Sequence, residues 1–216
     1  MKKADIAEFY RRLAERTPNP VTELESGNTY QLLVAVALSA QATDAGVNRA
    51  TKHLFRDVKT PAQMLALGED GLKHHIKTIG LFNTKAKNVI ALSRVLVDQY
   101  EGEVPHDRDA LQALPGVGRK TANVVLNVAY GEETFPVDTH VFRVANRTGL
   151  AKGKNVNQVE AKLEKETPAP YRVCAHHLLI LHGRYVCKAR KPECWRCVVA
   201  DLCAFKPKTP PPADAA

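Results

Sequence analysis

The sequence predicts an all-α protein. Apolar residues recur at helical spacing along most of the chain, and from residue 30 onward no segment shows the strict alternation of a half-buried strand. Proline and glycine fall between the periodic segments, where they end one helix and allow the next to begin. A length of 216 residues suits one or two compact domains.

The first half of the chain carries helices with clear apolar faces. An N-terminal helix presents Ile6, Phe9, Tyr10 and Leu13 on one side. A later helix, which begins at Thr43, presents Val47, Ala50 and Leu54. Residues 29–40 between them are apolar nearly all round, which indicates a buried central helix. Thr60-Pro61 predicts a further helix start and Gly68 its stop. A turn at 80–83 joins the next two helices.

Later helices follow the same logic. Residues 109–114 form the end of a short helix that Pro115 cannot continue, and the next helix begins at Arg119. Asp138 is a candidate N-cap for a helix with Val141 and Val144 on its apolar face. Residues 155–182 predict two more helices separated by prolines. The Pro-rich tail over 206–216 is expected to be disordered.

Charge and hydropathy limit the classes of function. Lysine and arginine exceed aspartate and glutamate by 31 to 23, which gives a net charge of +8 and favours a polyanionic partner without separating DNA from RNA. The N-terminus lacks the pattern of a signal peptide, and the longest apolar run, 32–38, is far shorter than the ~20 residues that span a bilayer. We expect a cytoplasmic protein, associated with the nucleoid if its source is prokaryotic.

The string LPGVGRKTA at 114–122 predicts an anion site made of backbone. Gly116 and Gly118 allow backbone angles closed to other residues, so successive N–H groups can point at one spot. The helix that begins at Arg119 adds the positive end of its dipole. Such a corner suits a phosphate of a nucleic-acid backbone. A bare Pro-Gly-x-Gly would favour an ordinary helix connection, and the longer string favours the phosphate site.

Lys120 and Asp138 are the candidate catalytic pair. Lys120 lies in the first turn of a helix beside Arg119, where its ammonium form is disfavoured and a nucleophilic amine is easier to reach. The alternative is a solvated surface lysine that merely touches phosphate, and position alone favours that alternative. Asp138 suits both a capping and a catalytic role, and these are compatible because a capping carboxylate is held rigidly.

Four cysteines near the C-terminus predict a metal centre. Cys187, Cys194, Cys197 and Cys203 are separated by six, two and five residues. Four thiols in so short a segment of an intracellular chain argue for metal before disulfide. Zinc and an iron–sulfur cluster both accept four thiolates, and the spacing alone leaves zinc slightly ahead.

These motifs together resemble the helix–hairpin–helix base-excision DNA glycosylases, and among them the endonuclease III family. The similarity includes LPGVGRKTANVVLNVA, VDTHVFRVANR, LSAQATD, IGLFNTKAKNV, HHLLILHGRYVC and the cysteine cluster, and it covers nearly the whole chain. The resemblance implies a [4Fe–4S] cluster on the four cysteines. It also implies that Lys120 attacks the sugar C1′ while Asp138 assists base departure and proton transfer.

The resemblance further implies how the chain meets DNA. Gln41 would fill the gap left by an extruded nucleotide, Leu81 would wedge into the base stack, and His140 would contact DNA near the lesion. The remaining candidate contacts are the turn residues Gly116, Gly118 and Arg119 and the loop cations Lys188, Arg190 and Lys191. The cluster would order its basic loop and present those cations to phosphate.

The implied architecture is two helical domains with a DNA-binding cleft lined by Lys120 and Asp138. One domain is expected over 22–132, with the helix–hairpin–helix motif at about 108–130, and the other over 1–21 plus 133–205. The implied protein is a monomeric bifunctional glycosylase and lyase that removes oxidised or ring-saturated pyrimidines from duplex DNA and nicks 3′ to the abasic site. The alternatives are a monofunctional, mismatch-type glycosylase and a non-catalytic DNA-binding module with structural zinc.

Overall fold

The computed structural model describes residues 1–212, and every regular element among them is helical. The α-helices are α1 (Lys3–Arg16), α2 (Thr29–Leu38), α3 (Asp44–Asp57), α4 (Pro61–Ile76), α5 (Phe82–Tyr100), α6 (Arg108–Ala113), α7 (Arg119–Tyr130), α8 (Thr139–Thr148), α9 (Val156–Glu166) and α10 (Ala175–Tyr185). Two short 3-10 helices lie at Ala169–Tyr171 and Cys194–Arg196. No helix within this part of the chain is long and apolar enough to cross a membrane.

The helices form two compact units. One contains Thr22–Glu132, and the other contains Met1–Val21 together with the chain from Glu133 onward. Residues 213–216, the end of the segment expected to be disordered, lie outside the described residues. Within the described part of that tail, the Lys208 ammonium donates a hydrogen bond to the carbonyl of Cys203 at 2.8 Å.

The unit of 22–132 is built around α2. This helix is buried nearly all round, as its sequence predicts, and it packs against α3, α5 and α7. Inside the core, the Tyr30 hydroxyl lies 2.6 Å from the Ser93 hydroxyl, so both buried polar groups are satisfied. The two helices of the hairpin region, α6 and α7, pack on each other, and α7 packs on α2. The helix that carries Lys120 is therefore held by the core.

The second unit packs α10 against α8 and α1, with α9 on α8. Its largest fully buried side chains include Phe9, Tyr10 and Phe135. The Tyr10 hydroxyl lies 3.1 Å from the Thr167 hydroxyl, and the Tyr10 ring stacks on Tyr171. The N-terminal helix is thereby fixed to elements more than 150 residues later in the chain.

The helix breaks at Gly68, where the sequence predicts its stop. The backbone leaves helical angles there, with φ of +74° and ψ of 171°, and a second helical segment follows and ends at Ile76. Both parts bury apolar residues, Met64 before the break and Leu72 after it. A helix that is anchored on both sides of a kink can continue, because packing outweighs the local cost of the glycine.

Candidate functional site

The two turn glycines between α6 and α7 serve different purposes. Gly116 has φ of +77°, and a Cβ added there would lie 2.8–2.9 Å from the Asn88 side chain. Gly118 has φ of −93°, and a Cβ there would meet nothing within 4 Å. Gly116 is thus required by the fold of the turn, whereas Gly118 leaves open space directly before the first residue of α7. An anion can approach the backbone at that point without meeting a side chain.

Lys120 is the second residue of α7 and is half-buried. The same helix buries Ala122, Val124, Val125 and Leu126 in the core. A rigid, core-packed helix therefore places the amine one residue away from the exposed Arg119 and two residues from Gly118. The predicted start of this helix at Arg119 is confirmed.

Asp138 is the N-cap of α8, as its sequence context predicts. Its Oδ1 accepts a hydrogen bond from the Val141 backbone N–H at 2.8 Å. The preceding residues Phe135 and Val137 are buried, so the chain enters the cap along a fixed path. Asp138 itself is half-buried, and one of its carboxylate oxygens is used by the cap. The carboxylate is therefore held in one orientation.

His140 lies in the first turn of α8, where it is half-buried. Its Nδ1 is 3.2 Å from an Arg143 Nη, and its Cβ lies 3.0 Å from the position that a Cβ on Gly183 would occupy. The close approach of α8 and α10 at Gly183 fixes the backbone of His140.

Gln41 and Leu81 share an unusual backbone conformation. Among the described residues, three non-glycine residues have positive φ, and these two are among them, at +55° and +59°. Both side chains are exposed, and Leu81 exposes 59% of its surface. Left-handed backbone costs about 1–2 kcal/mol for an ordinary residue. An exposed leucine on strained backbone contributes little to the core, which is consistent with a role outside folding.

The four cysteines Cys187, Cys194, Cys197 and Cys203 line a single cavity. Burial, and after it the nearby thiols Cys187, Cys203 and Cys194, raise the pKa of the Cys197 thiol to about 11. Positive charge nearby favours the thiolate form of such a thiol, and bound iron supplies that charge. Among the described residues, no three His, Cys, Asp or Glu side chains lie close enough to hold a single metal ion. The four cysteines that line this cavity are the residues that would hold an iron–sulfur cluster, because thiolates are its usual ligands.

His182 also lines this cavity and is buried. Burial, with Arg16 and Arg196 nearby, lowers the pKa of its imidazole to about 4. Its Nε2 lies 3.7 Å from the Cys197 sulfur. A neutral imidazole is therefore in contact with one of the thiols.

The basic residues of the cysteine loop fall into two groups. Lys188 is paired with Glu193 at 2.5 Å, and Arg196 is also paired with Glu193 and donates to the Tyr185 carbonyl. Arg190 and Lys191 are exposed, and neither forms an ion pair with another described residue. Arg190 and Lys191 are thus better placed than Lys188 to meet an external anion.

The structure places the candidates in two sets. Gln41, Leu81, the turn glycines, Arg119 and Lys120 belong to the unit of 22–132, whereas Asp138, His140 and the cysteines belong to the other unit.

Two residues that the sequence did not indicate also contact the candidate sites. Asn88 lies against Gly116, and Arg147 contacts the Cys187 sulfur. Nothing in the sequence singles out Asn88, but Arg143 and Arg147 share one face of α8 at i, i+4 spacing, which was a detectable signal.

Comparison with known families assigns both regions. The model of the HhH-GPD superfamily of base excision DNA repair proteins matches residues 34–169. The model of the iron–sulfur binding domain of endonuclease III matches residues 187–203, the cysteine loop. The fold and the two sites therefore define a base excision DNA repair protein with an iron–sulfur centre.

Full-length relatives narrow this class. Endonuclease III of Escherichia coli strain K12 is 59% identical over 208 residues, which cover 96% of this chain and 99% of the relative. Endonuclease III of Haemophilus influenzae is 57% identical, with the same coverage. A solved structure of a trapped endonuclease III–DNA covalent intermediate has a TM-score of 0.89 and 44% identity, and covers 94% of this chain and 96% of that chain. The chain belongs to the endonuclease III family.

Family membership confirms several predictions. The all-α helix–hairpin–helix fold class, the bifunctional glycosylase and lyase class and the [4Fe–4S] cofactor are confirmed. The two alternatives, a monofunctional mismatch-type glycosylase and a zinc-bearing DNA-binding module, are not supported. The roles of individual residues remain predictions.

Proposed function

We propose that Lys120 is the nucleophile of a base-excision reaction on duplex DNA and that Asp138 assists it. The observation that carries this proposal is the position of Lys120, two residues after the open Gly118 on a core-packed helix. A turn that grips the phosphate backbone would bring a sugar close to this amine. The solved structure of a related endonuclease III is that of a trapped covalent intermediate with DNA, which also supports the proposal.

The proposed reaction proceeds through a lysine–sugar bond. The neutral Lys120 amine attacks C1′, the bond from C1′ to the base breaks, and the base leaves with the electron pair and gains a proton. Opening of the sugar ring gives a Schiff base between Nζ and C1′. The Schiff base acidifies the C2′ proton; its removal expels the 3′ phosphate oxygen, which nicks the strand 3′ to the abasic site. Hydrolysis of the Schiff base then frees the lysine.

Asp138 supports this reaction through its fixed carboxylate. The positive charge that develops on the sugar as the base leaves is stabilised by a nearby carboxylate. The same group can move protons between the amine, the sugar and water. The cap hydrogen bond to Val141 fixes the carboxylate before substrate binds, so little reorganisation is needed during the reaction.

Exposed residues on strained backbone would prepare the substrate. We propose that Leu81 inserts between bases and that Gln41 occupies the space of the extruded nucleotide. Inserting an apolar side chain partly unstacks the duplex, and a damaged base costs least to unpair. The preferred lesions are proposed to be oxidised or ring-saturated pyrimidines, and the active form a monomer.

The cysteine loop would increase the affinity of the protein for the phosphate backbone of DNA. The bound [4Fe–4S] cluster supplies a structural crosslink between four thiolates, not a reactant. With the loop ordered, Arg190 and Lys191 are exposed to the phosphates of DNA.

Borohydride trapping on DNA with a single abasic site tests the nucleophile. The parent protein should form a covalent adduct, and Lys120→Ala should form none. Lys87→Ala, which removes an exposed lysine on α5, is the matched control and should trap like the parent. An undiminished adduct with Lys120→Ala would falsify the assignment of Lys120.

Two further measurements test substrate and assembly. Excision from a panel of duplexes should be fastest for oxidised or saturated pyrimidines, and a preference for alkylated purines would contradict the proposal. Analytical ultracentrifugation should give the mass of one chain without DNA and the mass of one chain plus one duplex with DNA.

A further inference from the structure

Arg147, in the last turn of α8, binds the start of the cysteine loop. One Nη donates to the Lys188 carbonyl at 2.6 Å and lies 3.6 Å from the Cys187 sulfur. The other Nη donates to the Ala189 carbonyl at 2.8 Å. A single planar guanidinium therefore holds the first ligand of the loop and the two residues after it.

The same residue also contacts the end of the loop. The Cys203 sulfur lies 3.9 Å from the Arg147 carbonyl oxygen, and the Arg147 guanidinium lies 5.0 Å from the centre of the Phe205 ring. The next residue of α8 contributes as well, because the Thr148 carbonyl accepts from the Ala204 backbone N–H at 3.0 Å. The two ends of a loop of 17 residues, matched as the iron–sulfur domain, thus meet at one point of a helix.

We propose that Arg147 is a positioning residue for the [4Fe–4S] cluster, holding both ends of its loop and donating an N–H···S hydrogen bond to Cys187. A cluster bound by four thiolates carries negative charge, which increases when it is reduced. A fixed cation and a hydrogen bond to sulfur stabilise the more negative state, so Arg147 raises the reduction potential of the cluster. By closing the loop, it also slows the loss of iron.

Arg143 provides a natural comparison. It lies one turn earlier on α8 and donates to two carbonyls, those of Cys187 and Gly183, at 3.1 and 2.8 Å. No contact between its guanidinium and a sulfur is present among the described residues. Arg143→Gln therefore removes a similar charge and similar carbonyl contacts but leaves the N–H···S hydrogen bond intact.

The experiment uses the full chain with its cluster, as Arg147→Gln, Arg147→Lys and Arg143→Gln. Iron and sulfide content, visible absorption and the reduction potential are measured for each, together with the rate of bleaching by an iron chelator. We expect Arg147→Gln to have a more negative potential than the parent and to bleach about 10-fold faster or more, since outer contacts of metal ligands typically matter to this degree. Arg143→Gln should shift the potential less.

Arg147→Lys keeps the proposal testable if Arg147→Gln does not retain its cluster. Lysine keeps the charge but cannot reach two carbonyls and a sulfur together, so cluster content should recover while the potential stays below that of the parent. A potential and bleaching rate equal to the parent in Arg147→Gln, or an equal shift in Arg143→Gln, would overturn the proposal. The inference depends on the cluster and not on Lys120, so borohydride trapping by the parent distinguishes its failure from that of the proposed reaction.

Discussion

The Asp138 carboxylate accepts a hydrogen bond from the Val141 backbone N–H at 2.8 Å, so the proposed catalytic acid–base group is also the N-cap of α8. A cap and a catalytic group have different chemical needs. An amide oxygen can cap a helix as well as a carboxylate does, but it cannot stabilise positive charge or carry a proton.

This difference gives the first prediction. Asp138→Asn should keep the free energy of unfolding near that of the parent and lose most base excision, whereas Asp138→Ala should also lose about 1 kcal/mol of stability. Denaturant unfolding and single-turnover excision measure the two effects. Asn155→Ala is the control, because Asn155 caps α9 in the same way through the Gln158 N–H and should lose stability without losing chemistry. Parent-level excision by Asp138→Asn would contradict the catalytic role.

The turn glycines give the second prediction. Gly116→Ala should destabilise the protein by about 1–2 kcal/mol or more, because the left-handed backbone and the contact with Asn88 both oppose a Cβ. Gly118→Ala should leave stability nearly unchanged, since open space surrounds that position. It should weaken DNA binding, because the added methyl group keeps a DNA phosphate away from the protein backbone N–H groups. Thermal unfolding measures the effect on stability, and fluorescence anisotropy with labelled duplex measures the effect on DNA affinity. Equal DNA affinity for Gly118→Ala and the parent would argue against a phosphate at this turn.

The left-handed residues give the third prediction. Leu81→Gly should raise the free energy of unfolding by about 0.5–1 kcal/mol, because relief of about 1–2 kcal/mol of left-handed strain exceeds the entropy that glycine adds to the unfolded chain, and the exposed leucine packs little. It should at the same time slow excision from paired duplex. Glu101→Gly is the matched control, with φ of +54° at the other end of α5, and should gain stability at no cost in excision. A stabilised Leu81→Gly that excises like the parent would rule out the wedge.

The cysteine loop gives the fourth prediction. Each phosphate contact contributes about 0.9 to the slope of log binding constant against log salt concentration. Arg190→Ala and Lys191→Ala should each reduce that slope by about this amount, and Lys188→Ala by less, because Lys188 is paired with Glu193. Anisotropy titrations over a range of salt concentrations measure the slope. Equal effects of all three substitutions would show that the pairing with Glu193 does not persist on DNA.

Features that depend on local chemistry were predictable from sequence. The starts of α7 at Arg119 and of α8 at Asp138 follow from a glycine turn and a capping carboxylate, whose effects act within one helical turn. The buried character of α2 follows from its composition alone. The candidate nucleophile and carboxylate lie on these same helices, so the sequence identified them with their helical positions.

Features that depend on distant packing were not predictable. Gly68 interrupts helical geometry as expected, but only the burial of Met64 and Leu72 on either side explains why α4 continues. Asn88 and Arg147 act through residues 28 and 40 positions away, at Gly116 and Cys187. The i, i+4 spacing of Arg143 and Arg147 places both on one face of α8 but does not identify what that face contacts. The cysteine spacing admitted zinc as well as iron, and the family comparison was needed to decide between them.

Helix α5 begins immediately after Leu81, and its Asn88 lies against Gly116. Helix α5 therefore connects Leu81, which we propose inserts between bases, with the turn that we propose binds phosphate. Leu81 and Asn88, the residue that touches this turn, are seven positions apart. Because each residue turns an α-helix by about 100°, inserting or deleting one residue between them would swing the leucine about a quarter of the way around the axis. A substitution that keeps the helix straight leaves the angle between Leu81 and the turn at Gly116 unchanged, whereas a change in the number of residues between Leu81 and Asn88 alters that angle even if every contact with the core forms again.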